Sequence, residues 1–298
     1  MPSTDTLIIT NPNAGRGKAA RIASAVAALA VEHGVRCRLL ITTSPDQART
    51  AAQEAAASGA AVIVAVGGDG TIHHVAAGIV AASANCALLL IPAGQGNDTL
   101  RSLGVPRDWR RLAALLWTGT PRPIDVLRVR WPDGQADVAV NVLSAGFDAE
   151  IAARVRAARH VHGSVAYLLA ALQGIRQLRH RHLIIDLDGQ TVAGAALFVA
   201  VGNGAYYGGG MQIAPSASMH DGKLDLALAG PLQRLDALRT LPLLYSGRHT
   251  GHPLFSLRQG TVVRISGEPA PVQIDGEAAA PTPLTVAVLP QALQVLQP

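Results

Sequence analysis

The feature that most constrains the fold is an apolar strand signal that ends in glycines. Residues 61–66 read AVIVAV and continue directly into Gly67-Gly68-Asp69-Gly70-Thr71. A short run that is apolar at every position and rich in β-branched residues is typical of a strand buried on both faces. Similar strand-like runs alternate with helix-like segments on either side of it. This alternation predicts a parallel sheet covered by helices.

Three polar turns follow predicted strands of this first part. Strands are predicted at 7–10, 35–42, 61–66 and 87–91, and helices at 18–33, 45–58 and 72–82. The turns that follow are Asn11–Gly17, Gly67–Thr71 and Pro92–Asp98. Ligands of parallel sheets bind outside the carboxyl ends of the strands. The sequence therefore predicts a ligand site built from these turns.

The pattern changes after about residue 127, where many short strands and turns replace the alternation. Strands are predicted at 126–131, 138–143, 183–188, 195–202, 224–229, 262–265, 272–274 and 284–289, with helices at 163–178 and 232–244. Such a series favours an antiparallel sandwich or barrel. The predicted fold is an α/β N-terminal domain (1–127) followed by a mainly-β C-terminal sandwich domain (128–298). A return of the last strand to the first domain is left open.

Composition narrows the functional classes. Only 3% of the residues are aromatic, which argues against a stacking platform for single-stranded nucleic acid. The net charge of +5 comes almost entirely from arginine and suits nucleic acid, a phosphorylated ligand or an anionic membrane face. The first residues do not show a charged segment followed by an apolar one, and the sequence has no run of about 18 apolar residues. We therefore expect a cytoplasmic protein with at most peripheral membrane contact, and Cys37 and Cys86 as buried thiols.

The turn at residues 67–71 has the composition of a phosphate-binding loop. Its glycines let backbone N–H groups approach a phosphate, and the start of the next helix favours an anion. Asp69 would repel phosphate unless it holds a cation, orients a sugar or accepts a proton. The alternative is an Asp-Gly turn that caps the following helix. The residues alone leave both open.

The other two turns carry further ligand-binding candidates. Gly94 and Gly96 open the backbone of one turn, where Asn97 and Asp98 could bind a nucleotide or cap the next helix. The first turn brings Arg16, Lys18 and Arg21, which could bind phosphate or form a solvated basic helix start.

The three turns together resemble a known family. NPNAGRGKA, VGGDGT and IPAGQGND, in this order, are similar to the diacylglycerol kinase catalytic family of lipid kinases, which is related to sphingosine kinases and more distantly to NAD kinases. The second half agrees, through NVLSAGFDAE, VGNGAYYGGGMQIAPSASMHDGKLDL, HTGHP and VQIDGE. The resemblance covers nearly the whole chain.

The resemblance implies both fold and activity. The fold would be a nucleotide-binding α/β domain like those of NAD and diacylglycerol kinases, then a β-sandwich lipid-acceptor domain, with the active site in the cleft between. The activity would be that of a phosphotransferase with an alcohol acceptor, moving the γ-phosphate of ATP to a lipid hydroxyl, most simply that of diacylglycerol, in phospholipid biosynthesis. The implied partners are a lipid substrate at the inner face of the membrane and no nucleic acid.

The resemblance also assigns residues by matched position. Asp275 would be the general base with Glu277 beside it, and Asp221 would hold a structural Mg²⁺ with Asp225 in the same acidic network. The residues expected to bind ATP and its Mg²⁺ are Asn11, Arg16, Arg21, Gly67, Gly68, Asp69, Gly70, Thr71, Gly94, Gly96, Asn97, Asp98 and Arg101. In an extended Ile-Asp-Gly-Glu segment, Asp275 and Glu277 would project to one face. A hairpin turn at Asp275-Gly276 is the alternative.

Several residues depart from the family pattern. His73 and His74 stand where Asn and Glu are common, Gln95 replaces a usual Thr and Ala14 a usual Ser. The changes at His73, His74 and Gln95 keep open a nucleotide- or lipid-binding regulator with weakened catalysis. The GGDGT motif itself also fits a soluble-substrate kinase of the NAD-kinase type.

Two surface features also have alternative interpretations. The histidines among arginines, His160, His162, His180 and His182, predict a solvated basic face or a membrane-docking surface. The aliphatic stretches 166–178 and 238–244 could line a lipid groove, although core helices are the favoured interpretation. A homodimer formed through an edge strand of the sandwich is also open.

Overall fold

The computed structural model describes residues 6–94, 96–157 and 164–298, without the side chains of residues 16, 156–157 and 164–168. The chain divides into two compact units. Unit 1 comprises Met1–Asp125 and Gln291–Pro298, and unit 2 comprises Val126–Pro290.

Unit 1 is the predicted α/β domain. Its strands and helices alternate in the order β1 Thr6–Thr10, α1 Lys18–Glu32, β2 Cys37–Ile41, α2 Pro45–Ala57, β3 Val62–Gly67, α3 Asp69–Ala82, β4 Ala87–Pro92, α4 Asp98–Ser102, α5 Trp109–Thr118 and the first half of β5 Thr120–Arg130. The sheet order is β2-β1-β3-β4, and all three pairings are parallel. The end of the last strand, β18 Leu284–Gln297, adds in parallel beside β4.

Burial follows the pattern that predicted these strands. β1 and β4 are buried along their whole length, as is β3 except at Val62, so helices cover both faces of the central sheet. Gly78 allows α3 to approach α2 closely, because a Cβ there would lie 2.3 Å from the main-chain oxygen of Arg49. The predicted parallel α/β organisation is confirmed.

Unit 2 is the predicted antiparallel β-sandwich. Its elements are the second half of β5, β6 Ala136–Ala139, β7 Val142–Gly146, α6 Phe147–Ala157, α7 Ser164–Ile175, β8 Arg181–Leu187, β9 Gln190–Ala196, β10 Phe198–Gly202, β11 Tyr206–Tyr207, β12 Met211–Gln212, β13 Leu224–Ala229, α8 Arg234–Leu244, β14 Phe255–Gly260, β15 Val262–Gly267, β16 Val272–Ile274, β17 Glu277–Ala279 and the first half of β18. One sheet has the order β14-β13-β10-β7-β16-β17, and a second joins β18, β15, β8 and β9.

The core of unit 2 lies between these two sheets. Leu143 and Val201 from the first sheet pack in one cluster with Ile185 and Val263 from the second. A separate apolar cluster joins α6, α7 and α8 to the other face of the first sheet, through residues such as Phe147, Ile175 and Leu241.

The structure contains several elements that were not predicted, such as α4, α5 and β14, and it also differs where polar residues interrupt an apolar run. The predicted strand 138–143 is two strands, because the chain leaves the β6 pairing and turns at the buried Asn141. The helix α6 was missed because its sequence, FDAEIAARVRA, lacks a continuous apolar stripe.

Candidate active site

Three glycine-rich turns of unit 1 meet at the ends of its strands. The backbone N–H groups of Ala93 and Gly94 both donate to the Gly67 carbonyl, at 2.8 and 3.1 Å. A Cβ on Gly94 would lie 2.5 Å from Gly68 Cα, and a Cβ on Gly15 would lie 1.9 Å from the Ala93 oxygen. Only glycine allows the turns to approach this closely. The predicted turns therefore form one continuous backbone surface.

Asp69 connects two of these turns through its side chain. Asp69 Oδ1 accepts hydrogen bonds from Thr99 N and Thr99 Oγ1, each at 3.0 Å. A Cβ on Gly96 would lie 2.9 Å from Asp69 Oδ2, so this second oxygen faces the Gly94–Asp98 turn. The carboxylate does not cap its own helix, since the N-cap of α3 is Gly68 and no side chain bonds there. Thr99 thus fixes the orientation of the Asp69 carboxylate within the site.

The third turn leaves a buried acceptor. Asn97 has a left-handed backbone (φ 49°), and its Nδ2 donates to the Gly94 oxygen at 3.0 Å. Its Oδ1 is buried and has no hydrogen-bond partner within the described part of the chain. Asp98 and Arg101 form an ion pair one turn further on. A buried acceptor without a protein partner suits a ligand N–H or O–H group.

The first turn adds exposed cations at a helix start. Lys18 and Arg21 are exposed in the first turn of α1, whose N-cap Gly17 makes no side-chain cap. Asn11 Oδ1 accepts from Asn13 N at 2.9 Å, which closes the turn locally. Cations at a helix start, together with the helix dipole, favour an anion. The side chain of Arg16 lies outside the described residues, and so does all of Gln95.

The unit 2 segments that resemble the family motifs also converge. The backbone N–H groups of Asn203 and Gly204 donate to the Asn141 oxygen, at 2.8 and 2.9 Å. In return, Asn203 Nδ2 donates to the Val140 oxygen at 2.7 Å, and Asn141 Nδ2 donates to the Tyr206 oxygen at 2.6 Å. Two segments separated by more than fifty residues are therefore locked together by their asparagines.

Asp275 completes this arrangement. Its Oδ2 accepts from Val140 N at 2.8 Å, and its Oδ1 accepts from Asn141 N and Val142 N at 2.9 and 3.0 Å. Asp275 and Gly276, with φ values of 50° and 89°, form the two-residue turn of the β16–β17 hairpin. The expectation of an extended segment is therefore wrong, because an Asp-Gly pair readily adopts two positive φ angles and so turns the chain. Glu277 is half-buried and pairs with Ile274 across the hairpin instead of sharing a strand face with Asp275.

Comparison with known proteins identifies the family of this chain. Residues 5–129 match the family described as "Diacylglycerol kinase catalytic domain", and residues 141–297 match "YegS C-terminal NAD kinase beta sandwich-like domain". The chain is 32% identical over 292 residues to proteins named diacylglycerol kinase from two strains of Mycobacterium tuberculosis, CDC 1551 / Oshkosh and H37Rv. These matches cover 97% of this chain and 94% of each relative. The chain belongs to the diacylglycerol kinase catalytic domain family. The resemblance drawn from the motifs is confirmed.

Other members of the family are similar over most of their length. A diacylglycerol kinase of Bacillus subtilis (strain 168) is 29% identical, over 91% of this chain and 88% of the relative. A probable lipid kinase YegS-like of Pseudomonas aeruginosa PAO1 is 30% identical, over 90% of this chain and 86% of the relative. The solved structure of a diacylglycerol kinase from Bacillus anthracis str. Sterne superposes with a TM-score of 0.74 at 21% identity, over 100% of this chain and 98% of that one. That last likeness shows the fold alone.

The residues present in this family member fit a magnesium nucleotide. The glycine turns bring their backbones into close contact, and Asn97 Oδ1 supplies a buried acceptor. Mg²⁺ is held by one or two carboxylates together with substrate phosphates and water. Asp69 would supply such a carboxylate. Among the described residues no group of three or more metal-binding side chains occurs.

The two carboxylates expected to form the second metal site, Asp221 and Asp225, already accept hydrogen bonds from the protein. Asp225 is buried, and its Oδ1 accepts from Ser216 Oγ at 2.7 Å, while Gln259 Nε2 approaches its Oδ2 at 3.2 Å. Burial raises the pKa of Asp225, and the nearby Asp221 charge raises it further. Asp221 is exposed and accepts from Lys223 N at 3.0 Å. Asp221 as a metal ligand stays a prediction, with Asp225 already bonded to protein side chains.

Two other sets of predicted residues have clear positions. His73 is buried in α3 with its ring edge-on to His74, the centroids being 4.8 Å apart. His180 bonds the Leu232 oxygen at 2.8 Å, while His182 is exposed; His160 and His162 lie outside the described residues.

The sequence predictions also missed Asp125 and Asp148, two carboxyls of the apolar segments PIDVL and AGFDAE. An acid inside an apolar run was the signal that could have found them.

Proposed function

We propose that the chain transfers the γ-phosphate of ATP to a lipid hydroxyl, with diacylglycerol as its acceptor. The observation that carries this proposal is the close contact of three glycine-rich turns around Asp69. This arrangement occurs in a chain that matches relatives named diacylglycerol kinase along 97% of its length. The phosphotransferase activity and the use of Mg²⁺ are part of the proposal.

The residues of unit 1 would bind and orient the nucleotide. ATP supplies the transferred phosphoryl group, and its Mg²⁺ neutralises charge on the phosphates. The backbone of the 67–71 and 94–98 turns lines the phosphates, with Lys18 and Arg21 contributing positive charge. Asp69, fixed by Thr99, holds its second carboxylate oxygen toward the site. Such prior orientation lowers the entropic cost of aligning the reacting groups.

Asp275 is the proposed general base. It accepts the proton of the lipid hydroxyl as the new oxygen–phosphorus bond forms and ADP leaves. Three main-chain N–H groups hold its carboxylate in one orientation. A base must lie within hydrogen-bond reach of the proton that it removes, so a fixed carboxylate is favourable.

The solvent face of α8 supports binding to a membrane surface. Leu235 and Leu238 are 65% and 45% exposed, and the exposed Arg234 and Arg239 flank them on the same face. The neighbouring α7 adds Leu169 at 45% exposure. Leucines beside arginines on one helix face suit the interface of an anionic bilayer. None of the described helices is long and apolar enough to cross a membrane.

We propose that the lipid substrate is reached from the cytoplasm at the inner membrane face, through this α7–α8 surface. A homodimer formed through a sandwich edge strand is a further proposal, for which β14, at one end of its sheet order, is the candidate edge.

Labelled-ATP transfer tests the proposal. The purified chain is incubated with Mg²⁺ and γ-labelled ATP, and with diacylglycerol or a sphingoid base in mixed micelles, or NAD in solution. We expect label in the organic phase with diacylglycerol. Label on NAD alone would instead establish an NAD-kinase type enzyme, and nucleotide binding without transfer would indicate a regulator.

A further inference from the structure

Asp148 is a buried carboxyl that the proposed reaction does not use. It lies in the first turn of α6, and its Oδ1 accepts from Ala149 N at 2.9 Å. The hydroxyls of Ser144 and Tyr207 lie beside the carboxyl. Oδ2 is sealed from solvent, and none of the described groups bonds it with full hydrogen-bond geometry. A fully buried carboxyl is costly to keep in the folded chain, so its presence calls for a functional explanation.

A directed chain of hydrogen bonds runs from the Asp275-Gly276 turn to Ser144, whose hydroxyl lies beside the Asp148 carboxyl. Gly276 N donates to Gln273 Oε1 at 2.6 Å, and Gln273 Nε2 donates to Ser144 Oγ at 2.8 Å. The backbone N–H can only donate, so it fixes the orientation of the Gln273 amide. Ser144 therefore acts as an acceptor from Gln273, and its own proton is available to the Asp148 carboxyl beside it. Every donor in the chain thus points toward Asp148.

The members of this chain are held rigidly. Ser144 and Gln273 are directly paired across β7 and β16, and both are buried. The turn that they reach, Asp275-Gly276, has positive φ at both residues. A non-glycine residue in this region persists only when its surroundings hold it there.

We propose that Asp148 is a positioning residue that holds the Asp275-Gly276 turn through Ser144 and Gln273. This inference rests on the proposed function, in which Asp275 is the general base. As the terminal acceptor, Asp148 fixes the Ser144 hydroxyl and hence the amide that bonds Gly276.

The protonation state of Asp148 is then expected to affect turnover. Burial raises the pKa of Asp148 to about 7, while the Ser144 and Tyr207 hydroxyls oppose this shift. The elements packed most closely against α6 are α7, β7, β16 and β17, and their described side chains bring one charged group, Glu277. On α6 itself Glu150 pairs with Arg181 at 2.7 Å, and Arg154 bonds Gln177 at 2.8 Å. An ionised acceptor bonds a hydroxyl more strongly than a neutral one, so turnover should rise with pH through about 7.

Two substitutions at this position separate positioning from folding. Asp148→Ala removes the terminal acceptor, and we expect kcat to fall about tenfold or more while the KM for ATP changes less than about twofold. Asp148→Asn keeps an acceptor oxygen and the side-chain size but no charge, so its kcat should lie between that of Asp148→Ala and that of the ionised wild type, without the rise near pH 7. Asp188→Asn is the matched control, because the exposed Asp188 also accepts main-chain N–H groups in unit 2, from Thr261 and Val262.

Hydrogen exchange provides a readout that needs no lipid acceptor. Asp148→Ala and Ser144→Ala should each accelerate amide exchange in the 272–279 peptide, which contains Gly276, and leave the β14 peptide 255–260 unchanged. The double variant should exchange no faster than the single variants, since both break one chain.

Unchanged exchange at 272–279 in Asp148→Ala would overturn the proposal, as would a wild-type kcat and pH profile in both Asp148 variants. If the wild type phosphorylates no lipid while exchange responds as expected, then the proposed function fails and the hydrogen-bond chain stands.

Discussion

Asp69 and Asp275 are similar at the residue scale, since each carboxylate is oriented by main-chain N–H groups of a distant segment. Asp69 accepts from Thr99 N, thirty residues along the chain, and Asp275 from residues 140–142. Motif spacing predicts functional roles for these two acids, but it does not predict which groups donate hydrogen bonds to them. Sequence reasoning at Asp275 left two conformations open, and the hairpin turn is the one that the structure shows.

Asp69→Ala is predicted to weaken nucleotide binding. The change removes the carboxylate proposed for Mg²⁺ and leaves the buried Thr99 N without its acceptor, which costs about 1–3 kcal/mol. We expect affinity for Mg²⁺-ATP to fall at least about tenfold in calorimetry, with a smaller change for ATP measured in EDTA. Unchanged affinity in Mg²⁺ would contradict the role of Asp69.

Asp275→Asn is predicted to abolish transfer while ATP binding stays nearly intact. The amide cannot accept the hydroxyl proton, and its NH₂ group faces main-chain donors in place of one acceptor oxygen. Stability is therefore also expected to fall, by about 1–3 kcal/mol. Turnover is measured per folded molecule, with Asp188→Asn as the control. Undiminished turnover would exclude Asp275 as the base.

At the scale of elements, the first prediction concerns the contact between two turns. A methyl group at Gly94 would lie 2.5 Å from Gly68 Cα, which belongs to the backbone and cannot simply move aside. Gly94→Ala should therefore separate the turns and lower ATP affinity about tenfold or more, at a stability cost of about 1–3 kcal/mol. Gly194→Ala is the matched control, because a Cβ there meets nothing within 4 Å. Equal ATP affinity in both variants would show that the contact is not needed.

The second prediction at this scale concerns the α8 face. Leu235→Glu combined with Leu238→Glu should reduce binding to phosphatidylglycerol vesicles about tenfold or more, because apolar burial worth up to about 1.5–3 kcal/mol per leucine is lost and negative charge is added. Transfer to a short-chain diacylglycerol in solution should change little. Val31→Glu in unit 1 is the control, since Val31 is 64% exposed. Vesicle binding equal to that of the wild type would rule out this face.

The helices α7 and α8 show what the sequence can and cannot predict about a single element. Both helices were predicted within a few residues, and their interpretation as core helices is correct for Ile175 and Leu241. Leu169 and Leu238 in the same stretches are exposed. The sequence alone does not distinguish an apolar residue that faces a neighbouring helix from one that faces the solvent. The packing of the helices therefore decides its exposure.

For the whole molecule, stability is predicted to depend on the ionisation of Asp148. Its pKa is about 7 in the folded protein against 3.8 for the ordinary value. Because folding raises this pKa, the stabilising contribution is fully present below about pH 4 and is lost as pH rises through about 7. The difference amounts to at most about 4 kcal/mol.

Denaturant unfolding at several pH values measures this effect. The free energy of unfolding of the wild type, relative to that of Asp148→Asn, should decline between about pH 4 and pH 7. Parallel curves for the two proteins would show that Asp148 does not titrate in this range.

The sequence by itself determined the alternation of strands and helices in unit 1, the sandwich of unit 2, the glycine-rich turns and the family. These features depend on local periodicity and on residue types at fixed spacing, which a single chain displays directly. Tertiary structure decided that Gly94 approaches Gly68, that Asp275 bonds residues 140–142, and that Gln273 joins Ser144 to the Asp275-Gly276 turn. It also places the end of β18 beside β4. Each of these depends on which distant strands become neighbours, and sequence periodicity carries no information on that pairing.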